Sequence, residues 1–361
     1  MDPVELEEPP ISTTYTAAPT RFERRLLVTG LSVLLVALVV YLLKEFAVVL
    51  QQLLLAVFLV YLIAPIHSWL LRRGLPAWAA YALIALVLLL GSYACGQMLY
   101  RSVEHLAANL PHYRDNLNRI FQELIQKAPG VDRQQLQRFF ASEGEFFNTG
   151  MSTVIGWAGT FFGFLSESIV ILVYLAFLLA EKAGMGRRIQ ASFEPGAAER
   201  ILAIVSRINA TIRQYVALKT LINLIVGSLT AIVLWLYRVD YALLWGILAF
   251  LLNYIPYLGS VIAIIPPVLL SLVEYESLGW SALVLVTLLV VHNGIGYLVE
   301  PRLTGDQLDL SPIVVLLALA FWGSIWGTVG MLLAIPLTVV IRTILENVPE
   351  TRPLARMLSS G

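Results

Sequence analysis

Long runs of uncharged, apolar residues dominate this chain, and they leave it very few folds. Several reach the ~18 residues that mark a membrane-spanning helix. They lie at 26–43, 46–64, 77–99, 155–180, 218–237 and 278–299, with Glu167 in the fourth and Lys219 in the fifth as the charged exceptions. Only helices and closed barrels satisfy their own backbone polar groups in lipid. Runs of this length, without the dyad alternation of barrel strands, predict an all-α polytopic membrane protein with about six full transmembrane helices. Charged residues make up only 13% of the chain, against about 25% in soluble domains. The bilayer is therefore the first expected partner.

Two further runs do not fit the pattern. The stretch 241–273 carries Asn253, Pro256, Gly259, Pro266 and Pro267; the stretch 311–341 carries Gly323, Gly327, Gly330 and Pro336. As one helix each would be about 45–50 Å long, against a hydrocarbon core of about 30 Å. Tilt absorbs so large an excess poorly. Halved, each run is too short for two full spans. Both are therefore expected to be broken or re-entrant helical hairpins, the arrangement that in membrane proteins points to a transport site.

Charge placement orients the spans. Arg21, Arg24 and Arg25 precede the first, and Arg72 and Arg73 follow the second. The positive-inside rule puts both ends in the cytoplasm, and Lys44 and Glu45 turn the chain between these spans. Lys182, Arg187 and Arg188 follow the fourth span, as a cytoplasmic loop requires. If the first broken run dips and returns, Arg302 is cytoplasmic; if the second does the same, so are Arg342, Arg352 and Arg356. Both termini are then cytoplasmic.

Six segments are expected on this reading: a disordered tail at 1–20, three helices at 21–100, and a soluble helical insert at 101–150; then two helices at 151–237 with an interfacial amphipathic helix at 195–215, a core at 238–347 holding both hairpins, and a tail at 348–361. In the insert, Leu117, Ile120, Phe121, Leu124 and Ile125 share a helical face, while Pro111 and Pro129-Gly130 predict breaks into short helices. In the amphipathic helix, Ile201, Ile204, Ile208, Ile212 and Tyr215 share a face and Arg200, Arg207 and Arg213 lie off it.

No enzyme, cofactor or metal signature is present. Gly-Lys never occurs, so there is no Walker loop; His67, His105, His112 and His292 form no ligand pair; Cys95 is the single cysteine. The Gly-x-Gly at Gly294 and Gly296 lacks a third glycine and a preceding strand, which rejects a dinucleotide site. Formal net charge is zero, which gives no electrostatic case for nucleic acid.

Candidate site residues gather at the breaks. At the first, Pro256 removes a donor and frees a carbonyl, Gly259 allows positive φ or close approach, and Asn253, Tyr254 and Tyr257 offer polar partners to the freed groups or to a solute. Asn293 extends this candidate pathway. At the second, Gly323 and Gly327 form a G-x-x-x-G followed by Gly330; the group marks either helix packing or a hairpin tip. Glu167, within the fourth span, and Glu300, at the end of the sixth, are candidates for proton or cation coupling. For Glu300 the alternative is a simple pair with Arg302. Lys219, at the start of a span, is expected to snorkel.

The segment Asn253-Tyr-Ile-Pro-Tyr-Leu-Gly259, the pair Glu300-Pro301, Gly305, Leu310-Ser311-Pro312, and Gly323 to Gly330 leading to Leu333-Ala-Ile-Pro-Leu337 together resemble the autoinducer-2 exporter (AI-2E) family over roughly residues 20–347. The resemblance implies a secondary transporter, a bacterial inner-membrane location and a homopentamer. It also implies either export of a small polar organic solute, such as a quorum-sensing signal, or Na+(Li+)/H+ antiport. An acid that the family places after the fourth span as Asp is matched here by Glu181. The reading outside transport is a membrane scaffold, in which the glycine motifs only pack helices.

Overall fold

The computed structural model describes residues 21–127, 156, 168–256, 258–304 and 310–359. Among these residues the chain is helical throughout and holds no strand. It divides into two units, one ending at Ala47 and the other beginning at Val48. The first holds α1 (Arg21–Glu45), whose apolar side chains from Leu31 to Val39 are largely exposed. That is the surface of a helix built to face lipid.

The second unit begins with α2 (Ala47–Arg72) and α3 (Ala77–Lys127). Pro111 does not break α3, contrary to the sequence expectation; one helix leaves the membrane-length stretch and continues to Lys127. Leu99, Val103, Leu106, Leu110, Tyr113 and Leu117 alternate by four and three residues along it. They pack in one core with Leu270, Val273 and Leu288. A sustained a/d seam of this kind outweighs the single hydrogen bond that a proline removes. The expected break at Pro129-Gly130 lies outside the described residues.

α4 (Ser168–Ser192) bends by 60° between Glu181 and Gly184, and Arg188 donates to Glu181 across the bend. α5 (Pro195–Leu236) starts with proline in its first turn, where the missing N–H is harmless. It unites the expected amphipathic helix and fifth span in one rod. At about 63 Å it is twice the membrane thickness, so its amphipathic half runs straight into its apolar half.

The first broken run is α6 (Ala242–Leu252) and α7 (Leu258–Tyr275). α8 (Leu278–Gly294) is capped by Ser277, whose Oγ accepts from Trp280 N–H at 3.3 Å. It passes through a π-helical turn (Ile295–Val299) into the short α9 (Glu300–Thr304). The second broken run is α10 (Pro312–Asn347), and α11 (Arg352–Leu358) closes the chain. By length and composition α1, α2, α3, α5, α8–α9 and α10 can cross a membrane among the described residues, and the bent α4 makes a seventh.

α10 is not straight. A Cβ on Gly330 would lie 2.0 Å from the Trp322 carbonyl oxygen, and one on Gly323 would lie 2.9 Å from the Met331 side chain. Residues eight apart are about 12 Å apart along a straight helix, so the chain reverses at Gly327. This is a hairpin with arms 312–326 and 328–347. The first run reverses likewise: a Cβ on Gly259 would lie 1.9 Å from the Leu252 carbonyl oxygen. Both length anomalies in the sequence resolve into helical hairpins.

α3 and the two loops flanking the first hairpin brace it. Asn109 Nδ2 donates to Tyr241 Oη at 3.1 Å, Asn116 Nδ2 to the Val273 carbonyl at 3.1 Å, and Arg119 pairs with Glu276 at 3.2 Å. The described non-glycine residues with positive φ, namely Arg238, Tyr241 and Glu276, all lie in these loops. Such φ values persist where surrounding contacts over-determine the backbone.

Candidate functional site

The buried polar groups of the second unit line one side of α5. Lys219, Asn223, Gly227 and Thr230 recur at helical spacing, and Lys219, Asn223 and Thr230 are all at most 4% exposed. Each meets a different partner. Lys219 Nζ lies 2.6 Å from Glu300 Oε1. Asn223 Oδ1 accepts from Asn253 Nδ2 at 2.8 Å. Thr230 Oγ1 and His292 Nε2 are 3.0 Å apart. At the end of the helix, Tyr237 Oη and Thr287 Oγ1 are also 3.0 Å apart. α5 therefore faces α8 through two polar pairs and α9 through the Lys219–Glu300 pair, with Ile222, Val226, Val291 and Ile295 packed between them.

The break in the first hairpin opens onto this seam. Asn253 caps α6, its own N–H bonded to the Ala249 carbonyl. Its side chain links Asn223 to Ser260, whose Oγ donates to Asn253 Oδ1 at 3.3 Å. Tyr254 shares a 2.7 Å hydrogen bond with Thr220, while its ring stands edge-on to Phe58 of α2 and Phe250 of α6. Asn223 Nδ2 is buried and has no partner. An unsatisfied buried donor costs about 1–3 kcal/mol, so this amide has one favourable hydrogen bond still to make.

Gly227 and Gly246 let α5 and α6 touch. A Cβ on either would lie 2.7 Å from the other's carbonyl oxygen. Gly259 serves close approach of the two hairpin arms; it is not a positive-φ residue. In the second hairpin the turn itself is Gly327, at φ 61° and ψ −141°, a region almost exclusive to glycine. The Trp326 carbonyl released there accepts from Gln51 Nε2 of α2 at 3.4 Å. Pro336 is buried in the second arm, and its neighbours Leu333 and Ile335 pack in one core with Tyr254, Tyr215 and Val216. The two hairpins thus reach the same side of α5.

Several expected residues are placed otherwise. Lys219 does not snorkel: it is buried and turned to Glu300, and Arg302 stays exposed. Asn293 is exposed on α8, away from the Asn223–Asn253 contact, and its neighbour His292 is the buried one. Pro256 is half-buried at the break. Glu167 and Tyr257 lie outside the described residues. Sequence reasoning missed Asn223, Thr230 and Gln51. The signal was available as isolated polar residues at four- and seven-residue spacing inside apolar runs. Glu300 reaches Lys219 past a π turn that inserts an extra residue and re-aims everything after it; no spacing rule signals that.

A cavity of about 1000 Å3 opens beside the seam, between α2, α4 and α5. Tyr61, Asn209, Arg213 and Gln214 supply its polar wall, and Leu218 and Leu303 lie where it nears the Lys219–Glu300 pair. Tyr61 Oη donates to Asn209 Oδ1 across it. Among the described residues no three His, Cys, Asp or Glu side chains converge as a metal site. The arrangement suits hydrogen-bond exchange with an uncharged polar solute at the Asn223–Asn253 contact, and proton or cation exchange at Glu300.

The sequence profile described as "AI-2E family transporter" matches residues 31–350. The chain belongs to this family. It is a multi-pass membrane transporter. YhhT of Escherichia coli K12 is 32% identical over 304 residues, covering 82% of this chain and 84% of YhhT. The AI-2 transport protein TqsA of the same strain is 29% identical over 278 residues, 74% of this chain and 77% of TqsA. A sodium-lithium/proton antiporter of Halobacillus andaensis is 21% identical over 265 residues, 69% of this chain and 74% of that protein.

Proposed function

We propose that this transporter exports a small, uncharged polar organic solute across a bacterial inner membrane, along the seam between α5 and the two hairpins. The Asn223–Asn253–Ser260 chain carries the reading. It joins a full-length helix to a broken one where backbone continuity is lost, and it leaves a buried amide donor open. Asn253 and Tyr254 hold the solute, Pro256 and Gly259 set the break, and Gly323, Gly327, Gly330 and Pro336 shape the second hairpin that closes against it. The name of TqsA makes autoinducer-2 the first solute to assay. The active form is a homopentamer with both termini cytoplasmic; its mass in detergent tests the first point, and cysteine labelling at Glu276 and Thr304 in a Cys95→Ser background tests the second.

Solute flux into proteoliposomes tests the pathway. Asn223→Ala and Asn253→Ala are expected to lower flux about tenfold, the loss that follows from one buried hydrogen bond of ~1.4 kcal/mol. Asn293→Ala is expected to leave it unchanged. Equal flux in all four proteins removes the Asn223–Asn253 contact from the pathway.

The Lys219–Glu300 pair favours a second reading, cation/proton antiport. A charge pair with Lys219 at 4% exposure is expensive to maintain for structure alone. Under this reading Na+ addition collapses a pH gradient in vesicles, and Glu300→Gln abolishes that response. If Glu300→Gln retains both Na+ response and solute flux, the pair is structural.

A further inference from the structure

Two acids at the end of α7 sit in opposite settings. Glu276, in the loop that follows, is exposed and paired with Arg119 of α3 at 3.2 Å. Glu274, in the last turn just past the apolar run, is half-buried and makes no ion pair among the described residues. Its Oε2 accepts instead from the backbone N–H of Asp240, in the loop before α6, at 3.2 Å. That bond draws a second carboxylate onto the same patch. Covalent geometry keeps the Asp240 carboxyl carbon within about 4 Å of its own nitrogen, and the charge of Asp240 acts on Glu274.

The patch ties together the two ends of the first hairpin, at the base opposite the Asn253 tip. Tyr275 Oη donates to the Arg238 carbonyl at 2.6 Å, and Tyr113 Oη of α3 to Asp240 Oδ2 at 3.5 Å. Arg238, Tyr241 and Glu276, with φ of 55°, 58° and 48°, flank the contact. Backbone of this kind stays in place only while its contacts hold.

The ionisable groups facing Glu274 are Asp240 from the loop before α6, Tyr113 from α3 and Tyr275 on its own helix. Beside them lie Arg238, Tyr241 and the Glu276–Arg119 pair. Burial disfavours the Glu274 carboxylate first, and the Asp240 charge adds to it; the Asp240 N–H opposes both. The net result pushes the carboxyl up from 4.5 to about 7. The folded chain therefore holds a proton that the unfolded chain has released. Stability contributed here is greatest below 4.5, falls as pH rises towards 7, and is lost above it.

We propose that Glu274 and Asp240 form a proton-sensitive latch across the base of the first hairpin, closed when Glu274 is protonated and loosened when both acids are ionised. The latch lies outside the solute seam and stands whether or not the proposed substrate is correct.

The test is hydrogen–deuterium exchange of the full-length protein in uncharged detergent, followed in peptides covering 236–243 and 272–279. Wild type is compared with Glu274→Gln at the same pH, so that the intrinsic pH dependence of exchange cancels. At pH ~5.5 the two are expected to exchange alike; at pH ~8 wild type is expected to exchange about tenfold faster in both peptides. Asp240→Asn keeps the backbone donor and removes one charge, so its transition is expected at lower pH than in wild type. Glu276→Gln is expected to keep the wild-type midpoint. The proposal is overturned if the difference between wild type and Glu274→Gln does not grow with pH. It is equally overturned if Asp240→Asn leaves the midpoint in place, or if Glu276→Gln moves it as far.

Discussion

The two hairpins solve the same problem with different chemistry. The first is broken at Asn253 and Pro256: backbone turn bonds from Tyr254, Ile255 and Gly259 close the chain there, and the side chains of Asn253 and Tyr254 meet Asn223, Ser260 and Thr220. The second is broken by the backbone of one glycine, Gly327. Tryptophans Trp322 and Trp326 pack around its turn, and one hydrogen bond from Gln51 meets the freed Trp326 carbonyl. Both need a glycine where the arms close, Gly259 in one and Gly330 in the other. The shared feature is steric and serves the fold. The feature that differs is polar, and the proposed solute pathway draws on the side-chain hydrogen bonds at the first hairpin.

Variants at the closing glycines test the shared part and carry the largest effect. Gly330→Val or Gly259→Val puts a Cβ about 2 Å or less from a backbone oxygen, so the arms must separate. Overpacking of this kind costs ~3 kcal/mol or more. Both variants are expected to lose the monodisperse peak in size-exclusion chromatography. A stable, transporting Gly330→Val protein breaks the claim that the second run is a hairpin.

Gly327→Ala is expected to be milder. A Cβ there meets no atom within 4 Å, and only the backbone conformation is strained, by ~1–3 kcal/mol. The unfolding midpoint falls while the protein stays folded. If Gly327→Ala is as damaging as Gly330→Val, space rather than φ limits this turn. Gln51→Leu is the smallest test. It removes one weak hydrogen bond of ~0.5–1.5 kcal/mol, and a small fall in midpoint with flux retained is expected. Loss of flux without loss of stability would give the second hairpin a polar role and erase the contrast between the two.

Much of this was legible in the sequence, because it follows from counts and from single residues with strong backbone preferences. The length of the uncharged runs gave the class. Their excess length marks both runs as broken; the first break is confined to Asn253–Gly259, while the Gly323–Gly330 group alone leaves helix packing and a hairpin tip both open. Asn253 and Tyr254 were found because polar residues beside a proline in an apolar run need partners. Pro111 misled for the same reason: its local preference is strong, yet the seam from Leu99 to Leu117 overrides it. His292 and Asn293 are adjacent in sequence, yet one is buried and the other exposed, and the largely apolar α8 has no polar pattern that tells its buried face from its exposed one.

The sequence by itself determined a helical membrane protein with two reversing segments, since bilayer thickness and the backbone limits of glycine and proline act locally. Tertiary structure alone decided which polar residues meet. Lys219 and Glu300 are 81 residues apart, and Asn223 and Asn253 are 30 apart. Their meeting depends on the rotation of α5, the π turn before Glu300 and the Gly227–Gly246 contact. Those are packing outcomes summed over many weak contacts, and no single residue announces them.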